Sequence, residues 1–125
     1  MKKIINTTNA PAPIGPYSQA VLKNGTLYIS GQIAINPATG NLELSDIKTE
    51  TKMVMENLKA VLNEAGMDFS NILKCSIFIS DMNNFGQINE VYGSYFEKDF
   101  PARETVEVSV LPKNVNVEIS AIAAV

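Results

Sequence analysis

Hydrophobic side chains recur at two different spacings along this chain, and the spacings predict where its strands and helices lie. Tyr17–Leu22 and Thr26–Gly31 alternate apolar with polar side chains, as strands with one buried face do. Asn24-Gly25 between them is typical of a two-residue hairpin turn. The pattern therefore predicts an antiparallel pair of strands near the start of the chain.

The spacing then changes to that of a helix. From Ile47 to Ala65 the apolar residues keep a helical period. Ser45 or Asp46 is suited to cap the first turn, because a short polar side chain there accepts a hydrogen bond from an unpaired backbone N–H. Gly66 is suited to end the helix.

A buried strand and a second helix follow. Residues 72–80 are largely apolar, and Cys75 lies on the predicted buried face of this strand. We expect Asn83 or Asn84 to cap the second helix. The apolar face of that helix contains Phe85, Ile88, Tyr92 and Phe96.

Two further strands complete the pattern, at Arg103–Leu111 and Val115–Val125. The first is expected to bury Val106, Val108 and Val110 and to carry polar residues on its opposite side. The order of strands, helix, strand, helix and two strands predicts one α+β domain over residues 1–125, with both helices on one face of a sheet. The other face holds many serine, threonine and small residues, so we expect the sheet of a neighbouring subunit to cover it.

The composition argues against several classes of function. The chain of 125 residues has a net charge of −3 and a sequence pI near 4.9, which disfavours binding to a nucleic-acid backbone. No apolar run approaches the roughly 18 residues that a membrane-spanning helix needs. The N-terminus lacks the apolar core of a signal peptide. We therefore expect a cytoplasmic protein.

Few reactive groups are present. The chain has no histidine, and Cys75 is its only cysteine. A disulfide within the chain and a Cys–His nucleophile pair are therefore excluded, and a zinc site has no basis in this sequence. We expect Cys75 to be a buried core thiol.

Arg103 is the only arginine. A guanidinium binds a carboxylate through two parallel hydrogen bonds, so it fixes the orientation of a small anionic substrate as well as its position. Arg103 is therefore the first candidate for an anion-binding residue. A surface ion pair with Glu104 or Glu107 is the alternative.

Glu118 is the only carboxylate side chain in the apolar final strand, which makes it the candidate for holding or deprotonating a water molecule. The alternative is a glutamate on the solvent-facing side of an edge strand. If the last two strands formed a simple hairpin, Arg103 would lie about 13 Å further along the strands than the residue opposite Glu118. A shared site would then need another strand order, a substrate between them or a subunit boundary.

Four further residues are candidates for ligand contacts. Residues 9–16 hold three of the six prolines, so they predict an ordered extended loop that presents Tyr17. Gly31 would let a ligand approach the backbone closely, beside the Ser30 hydroxyl. Asn89 is a poor helix former inside a predicted helix, so it has either a specific partner or contact with water. The alternative for Tyr17 is a core aromatic with its hydroxyl at the surface. The alternative for Ser30-Gly31 is an ordinary bulge or turn.

Several segments together resemble one known family. They are Ala12-Pro13-Ile14-Gly15-Pro16-Tyr17-Ser18-Gln19-Ala20, Ser30-Gly31-Gln32-Ile33, Phe100-Pro101-Ala102-Arg103, Val106-Glu107-Val108, and Leu111-Pro112-Lys113 with Val117-Glu118-Ile119. Through them the chain resembles the reactive intermediate deaminases, the Rid (YjgF) family, and is most similar to the deaminase A branch. The likeness extends over essentially the whole chain.

The resemblance implies a chorismate-mutase-like fold and a homotrimer. Three sheets would form a central β-barrel, with the helices outside and a cleft between adjacent subunits. It also implies hydrolysis of reactive enamines and imines, chiefly 2-aminoacrylate and 2-iminobutanoate, to 2-oxo acids and ammonia without a cofactor. An imine is already electrophilic, so positioning and a directed water molecule suffice.

Carried over by residue, the resemblance implies that Arg103 binds the substrate carboxylate and that Glu118 positions and activates the water. The other residues expected to bind substrate are Tyr17, Ser30, Gly31, Asn89 and Thr105. Thr105 departs from the pattern, because many relatives have cysteine there. If the position acts through its backbone, threonine serves equally well.

Two other functions would use the same residues differently. A non-catalytic regulator that binds 2-oxo acids would need Arg103 but not Glu118. Ribonuclease activity, proposed for some relatives, is disfavoured by the acidic charge, the single arginine and the lack of histidine.

Overall fold

The computed structural model describes residues 1–125 as a mixed six-stranded sheet with two helices on one face. The strands are β1 (Lys3–Ile5), β2 (Ala20–Lys23), β3 (Thr26–Gln32), β4 (Ile72–Ile79), β5 (Ala102–Glu107) and β6 (Val117–Ala124). The helices are α1 (Ile47–Glu64) and α2 (Phe85–Gly93). The predicted α+β class with both helices on one face is confirmed. β1 was not predicted, and the hairpin strand β2 begins at Ala20 rather than Tyr17.

The strands follow the order β1-β2-β3-β6-β4-β5 across the sheet. β4 and β5 are parallel, because α2 carries the chain back across the sheet between them. β6 lies between β3 and β4, antiparallel to both. The simple hairpin of the last two strands is therefore wrong, and β6 is a central strand rather than an edge.

Helix α1 has the boundaries that its sequence predicts. The Asp46 side chain accepts a hydrogen bond from the backbone N–H of Thr49 at 2.8 Å and so caps the first turn. Gly66 has a φ of +75°, the left-handed conformation that ends helices. Both local signals are confirmed.

Helix α2 begins differently from the prediction. Asn84 makes no side-chain cap bond at its start. Asp81 instead caps a preceding 3₁₀ turn, Met82–Asn84, by accepting from the backbone N–H of Asn83 at 2.9 Å. The helix ends at Gly93, so Phe96 lies beyond it, although its ring still packs against the core.

The core fills the space between the helices and one face of the sheet. Cys75 on β4 is fully buried there, and burial raises the pKa of its thiol. The predicted core thiol is therefore confirmed. The largest fully buried side chains are Leu27, Met55, Leu58, Leu62, Ile77, Ile79, Ile88 and Ile119.

Edge strand β5 contradicts the burial predicted for it. The strand ends at Glu107 and not at Leu111 as predicted; Val106 within it and Val110 beyond it are 41% and 64% exposed, respectively. The ladder pairs Arg103 with Cys75 and Thr105 with Ile77, so the polar side of β5 faces the helix layer. The apolar side of β5 lies on the opposite face of the sheet, which no helix covers and which we call the open face. A small cluster of Ile33, Leu111 and Val115 packs against Phe78. No helix of the chain is both long and apolar enough to span a membrane.

Candidate active site

Glu118 stands on the open face of β6, between two other strands. It pairs in the ladder with Phe78 of β4. The side chain is half-buried, and burial raises the pKa of its carboxyl group. Neither of the two ion pairs of the chain involves it. A half-buried carboxylate without a cation binds a proton more readily than an exposed one, as a general base must.

The Glu118 carboxylate packs directly against the backbone of Gly31. The β3–β6 ladder is irregular between Ile29 and Gln32, so Gly31 sits in a bulge. A Cβ atom at Gly31 would lie 2.8 Å from the Glu118 carboxyl carbon, a distance that real Cβ atoms do not tolerate. The structure shows the bulge that was the alternative interpretation of Ser30-Gly31. The close approach that glycine permits is made by Glu118 within the same chain.

A proline-rich loop forms a wall beside this carboxylate. The Tyr17 hydroxyl accepts a hydrogen bond from the backbone N–H of Ile14 at 3.3 Å. The Tyr17 side chain is 48% exposed, so its interpretation as a core aromatic is wrong. The Ser30 hydroxyl donates to the backbone carbonyl of Ser18 at 2.6 Å, which ties the loop to the bulge.

Loop and bulge together enclose a cleft of about 330 Å³. We call it the Glu118 cleft. It brings together Glu118 and three of the predicted contact residues. The lining residues are Pro11, Ala12, Ile14, Tyr17, Gln19, Ser30, Gly31, Gln32, Ile33, Ile35, Pro112 and Glu118.

Arg103 stands at a different place, where β5 meets α2. One Nη atom of its guanidinium donates to Asn89 Oδ1 at 2.7 Å. The guanidinium carbon lies 5.6 Å from the Phe85 ring centroid and 5.1 Å from that of Tyr92, within the range of cation–π attraction. The expected specific partner of Asn89 is therefore Arg103. These contacts leave most guanidinium N–H groups available to a ligand.

No carboxylate pairs with Arg103, so the predicted alternative of a surface ion pair is wrong. Glu104 instead pairs with Lys74 at 3.0 Å. A shallow depression surrounds the guanidinium, and we call it the Arg103 cleft. Its lining residues are Asn89, Tyr92, Gly93, Phe100, Pro101 and Arg103.

Two hydroxyls near Arg103 are buried without a hydrogen-bond partner. They are Tyr92 Oη and Thr105 Oγ1. Burial is the main cause that raises the pKa of Tyr92. Thr105 lies two residues from Arg103 on the same side of β5, so it adds an unpaired polar atom beside the cation.

The two clefts do not meet within one chain. Arg103 pairs with Cys75 and faces the helix layer, whereas Glu118 pairs with Phe78 on the open face. Their Cα atoms are separated by two strand spacings and by three residues of rise, or about 14 Å. One chain therefore carries two separate half-sites.

Comparison with known proteins decides the family. The family described as Endoribonuclease L-PSP matches residues 7–125. The 2-iminobutanoate/2-iminopropanoate deaminase of Mus musculus is 46% identical over 123 residues, which cover 98% of this chain and 91% of that protein. The Rid-family protein YyfA of Yersinia pestis has a TM-score of 0.97 and 53% identity, with 100% of both chains covered.

The chain belongs to the Rid (YjgF) family. A second solved structure, E. coli TdcF with bound serine, has a TM-score of 0.95 and 41% identity, with 98% of both chains covered.

Three buried polar residues of this Rid chain support the clefts, and none of them is among the residues predicted from the sequence. They are Gln19, Glu50 and Asn57, which are 2%, 0% and 0% exposed, respectively. The Asn57 amide donates to the carbonyls of Ile33 and Ile35, at 3.1 and 2.9 Å, in the segment that lines the Glu118 cleft.

Glu50 holds the start of the strand that carries Glu118. Its carboxylate accepts from the Asn116 backbone N–H at 2.7 Å, from the Asn116 side-chain amide at 2.7 Å and from the Val117 N–H at 3.2 Å. A sequence signal existed, because Glu50 falls three residues after Ile47 and four before Val54 on the apolar face of α1. Gln19 and Asn57 carry no comparable signal.

Proposed function

We propose that this chain hydrolyses 2-imino acids and their enamine tautomers, such as 2-iminobutanoate and 2-aminoacrylate, to 2-oxo acids and ammonia. The observation that carries the proposal is the pair of uncommitted charges, a guanidinium with no carboxylate partner and a half-buried carboxylate with no cation. The mouse deaminase, 46% identical, supports the reaction, and bound serine in TdcF supports a small ligand with a carboxylate.

In this reaction Arg103 binds the substrate carboxylate with the N–H groups that Asn89 leaves available. Thr105 Oγ1 offers a further polar contact beside it. Glu118 accepts a proton from a water molecule as the water oxygen attacks the imine carbon. The protonated Glu118 returns that proton to the nitrogen, which gives a carbinolamine. Glu118 then takes the proton of the new hydroxyl group and passes it to the amino nitrogen, so that the C=O bond forms as the C–N bond breaks, and ammonia and the 2-oxo acid leave. No covalent enzyme intermediate is required.

The reaction needs both half-sites around one substrate, so we propose that the active unit is a homotrimer. The Arg103 cleft of one subunit would face the Glu118 cleft of the next, and the three open faces would line a central barrel. The exposed apolar side of β5 supports an assembly through this face. Tyr17, Ser30 and Gly31 would come from the subunit that supplies Glu118, whereas Asn89 and Thr105 would come with Arg103.

A coupled assay tests the activity. A threonine dehydratase generates 2-iminobutanoate in place, and 2-oxobutanoate release is followed with and without this protein. We expect faster release with wild type and none of that acceleration with Arg103→Ala, while Lys98→Ala, which removes a surface cation, behaves as wild type. Release at the spontaneous rate with folded wild-type protein would reject the proposal.

A mixing experiment tests the shared cleft separately. Arg103→Ala and Glu118→Gln chains should each be inactive, but a mixed trimer would contain clefts that combine the intact Arg103 of one variant with the intact Glu118 of the other. Random mixing after joint unfolding and refolding would restore about one cleft in four. If the mixture of the two inactive variants stays inactive, the whole site lies within one subunit and the shared cleft is rejected.

The same assays separate the other functions. Binding of 2-oxobutanoate without any acceleration, unchanged in Glu118→Gln, would favour a non-catalytic regulator. RNA cleavage that disappears with Arg103→Ala would favour the nuclease named in the family description.

A further inference from the structure

The side-chain amide of Gln19 is buried and fully committed to one segment of backbone. Its Oε1 accepts from the Thr7 N–H at 2.7 Å. Its Nε2 donates to the Thr7 carbonyl at 3.0 Å, the Ala10 carbonyl at 3.3 Å and the Pro11 carbonyl at 2.8 Å. One side chain therefore supplies the hydrogen bonds that a neighbouring strand would give to this loop.

The backbone around Gln19 is fixed to the other side of the Glu118 cleft. The Ser30 N–H donates to the Gln19 carbonyl at 3.0 Å, and the Ser30 hydroxyl donates to the Ser18 carbonyl at 2.6 Å. Ser30 adjoins Gly31, on which the Glu118 carboxylate packs. Gln19 thus joins the loop wall of the cleft to the floor that carries the carboxylate.

Apart from Ala10, which is buried in the core, the loop has little else to hold it. Ala12, Ile14 and Tyr17 are all exposed, and no helix or strand includes residues 6–19. Prolines cannot donate backbone hydrogen bonds, so Pro11, Pro13 and Pro16 add none of their own. The order of the wall therefore depends on the few hydrogen bonds that reach it from Gln19 and Ser30.

We propose that Gln19 is a positioning residue that holds the loop wall of the Glu118 cleft in place and thereby sets how tightly substrate binds. This inference rests on the proposed deaminase function for its kinetic consequence. The wall contacts bound substrate before and during the reaction alike, whereas the reacting groups are Glu118 and the water. Loss of the wall contacts therefore raises KM and leaves kcat largely unchanged.

Two substitutions separate hydrogen bonding from packing. Gln19→Met keeps the volume of the side chain but removes all four hydrogen bonds. Gln19→Glu keeps the shape and one acceptor, but as a carboxylate it turns an oxygen rather than an N–H group toward three carbonyls. Both should therefore release the wall. Gln87→Met, the same chemical change at an exposed position of α2, is the control.

The kinetic test measures KM and kcat for 2-iminobutanoate generated in place at varied concentrations. We expect KM at least 10-fold higher for both Gln19 variants, with kcat within 3-fold of wild type, while Gln87→Met matches wild type. Unchanged parameters, or a loss in kcat at unchanged KM in a folded variant, would overturn the inference.

Amide hydrogen exchange tests the same inference without catalysis. In Gln19→Met, exchange of residues 7–17 should become at least 10-fold faster, with α1 unchanged, and 2-oxobutanoate should slow exchange of this segment in wild type but not in the variant. Unaltered exchange in residues 7–17 would overturn it. If wild type does not accelerate imine hydrolysis, the proposed function fails. The exchange result then still decides whether Gln19 holds a ligand-binding wall.

Discussion

The carboxyl group of Glu118 occupies the space that a side chain at Gly31 would need. The Gly31 backbone has no positive φ, so the glycine is required by the close approach of the carboxylate and not by backbone conformation. The bulge in β3 and the carboxylate on β6 therefore form one unit.

Gly31→Ala should damage the site more than the fold. The new methyl group would displace the Glu118 carboxylate by about 1 Å, a shift that can lower kcat/KM by about 10²-fold. Gly86→Ala is a matched control, because a Cβ atom there meets nothing within 4 Å. Equal activity of the two variants in the coupled assay would show that the position of Glu118 is unimportant.

Glu118→Gln should make the folded protein more stable at neutral pH while removing activity. Burial raises the pKa of Glu118 in the folded state, so the charged carboxylate costs stability above that pKa. This cost disappears as the pH falls below the ordinary pKa, where wild type is protonated in both states. Thermal unfolding between pH 4 and 8 should therefore show a small gain in melting temperature that shrinks toward acid pH. A gain in stability that grows toward acid pH would contradict a raised pKa of Glu118 in the folded state.

Arg103→Lys should lower kcat/KM although it keeps the charge. Lysine cannot form the planar fork or the same contacts with two rings. A hydrogen bond to a charged group contributes about 1.5–3 kcal/mol, which corresponds to about a 10- to 100-fold loss. If steady-state kinetics show that Arg103→Lys is as active as wild type, the positive charge alone is sufficient to hold the substrate.

Val106→Glu should disrupt assembly and leave the single chain folded. Val106 is 41% exposed on the open face, so a charge there costs a lone subunit little but cannot be buried between subunits. Size-exclusion chromatography with light scattering should show monomers without deaminase activity. Lys59→Glu on the exposed side of α1 is the control. A stable, active Val106→Glu trimer would remove the open face from the interface.

Glu50→Ala should be strongly destabilising, by about 2–4 kcal/mol, because it leaves several buried N–H donors at the start of β6 without an acceptor. Urea unfolding at fixed protein concentration measures the difference. Ala at the exposed Glu64 of the same helix should fall within about 0.5 kcal/mol of wild type.

Features encoded by nearby residues could be predicted from the sequence. The cap at Asp46 and the stop at Gly66 act within one helical turn, so the pattern alone located α1. The membership of Arg103 and Glu118 in strands was also recognisable. The relation between them was not, because it depends on β6 entering the sheet between β3 and β4.

Two other failures share a physical cause. Alternation along β5 showed which side chains share a face but could not show which face the helices cover, so Val106 was assigned to the wrong one. Gln19 was missed because its partner Thr7 lies 12 residues away. The place of Glu50 on the apolar face of α1 indicated burial, but its role was missed because its partner Asn116 lies 66 residues away. The role of a buried polar group follows from its hydrogen-bond partners.

If the chain assembles as proposed, strand β5 has a consequence for each subunit before association. It is an edge strand with unpaired backbone groups on one side and an exposed valine, Val106, which is the combination that recruits strands from other molecules. Prompt association would conceal that edge, and a delay would leave it open to aggregation. The rate of subunit encounter would then limit how much usable protein a cell obtains from each round of synthesis.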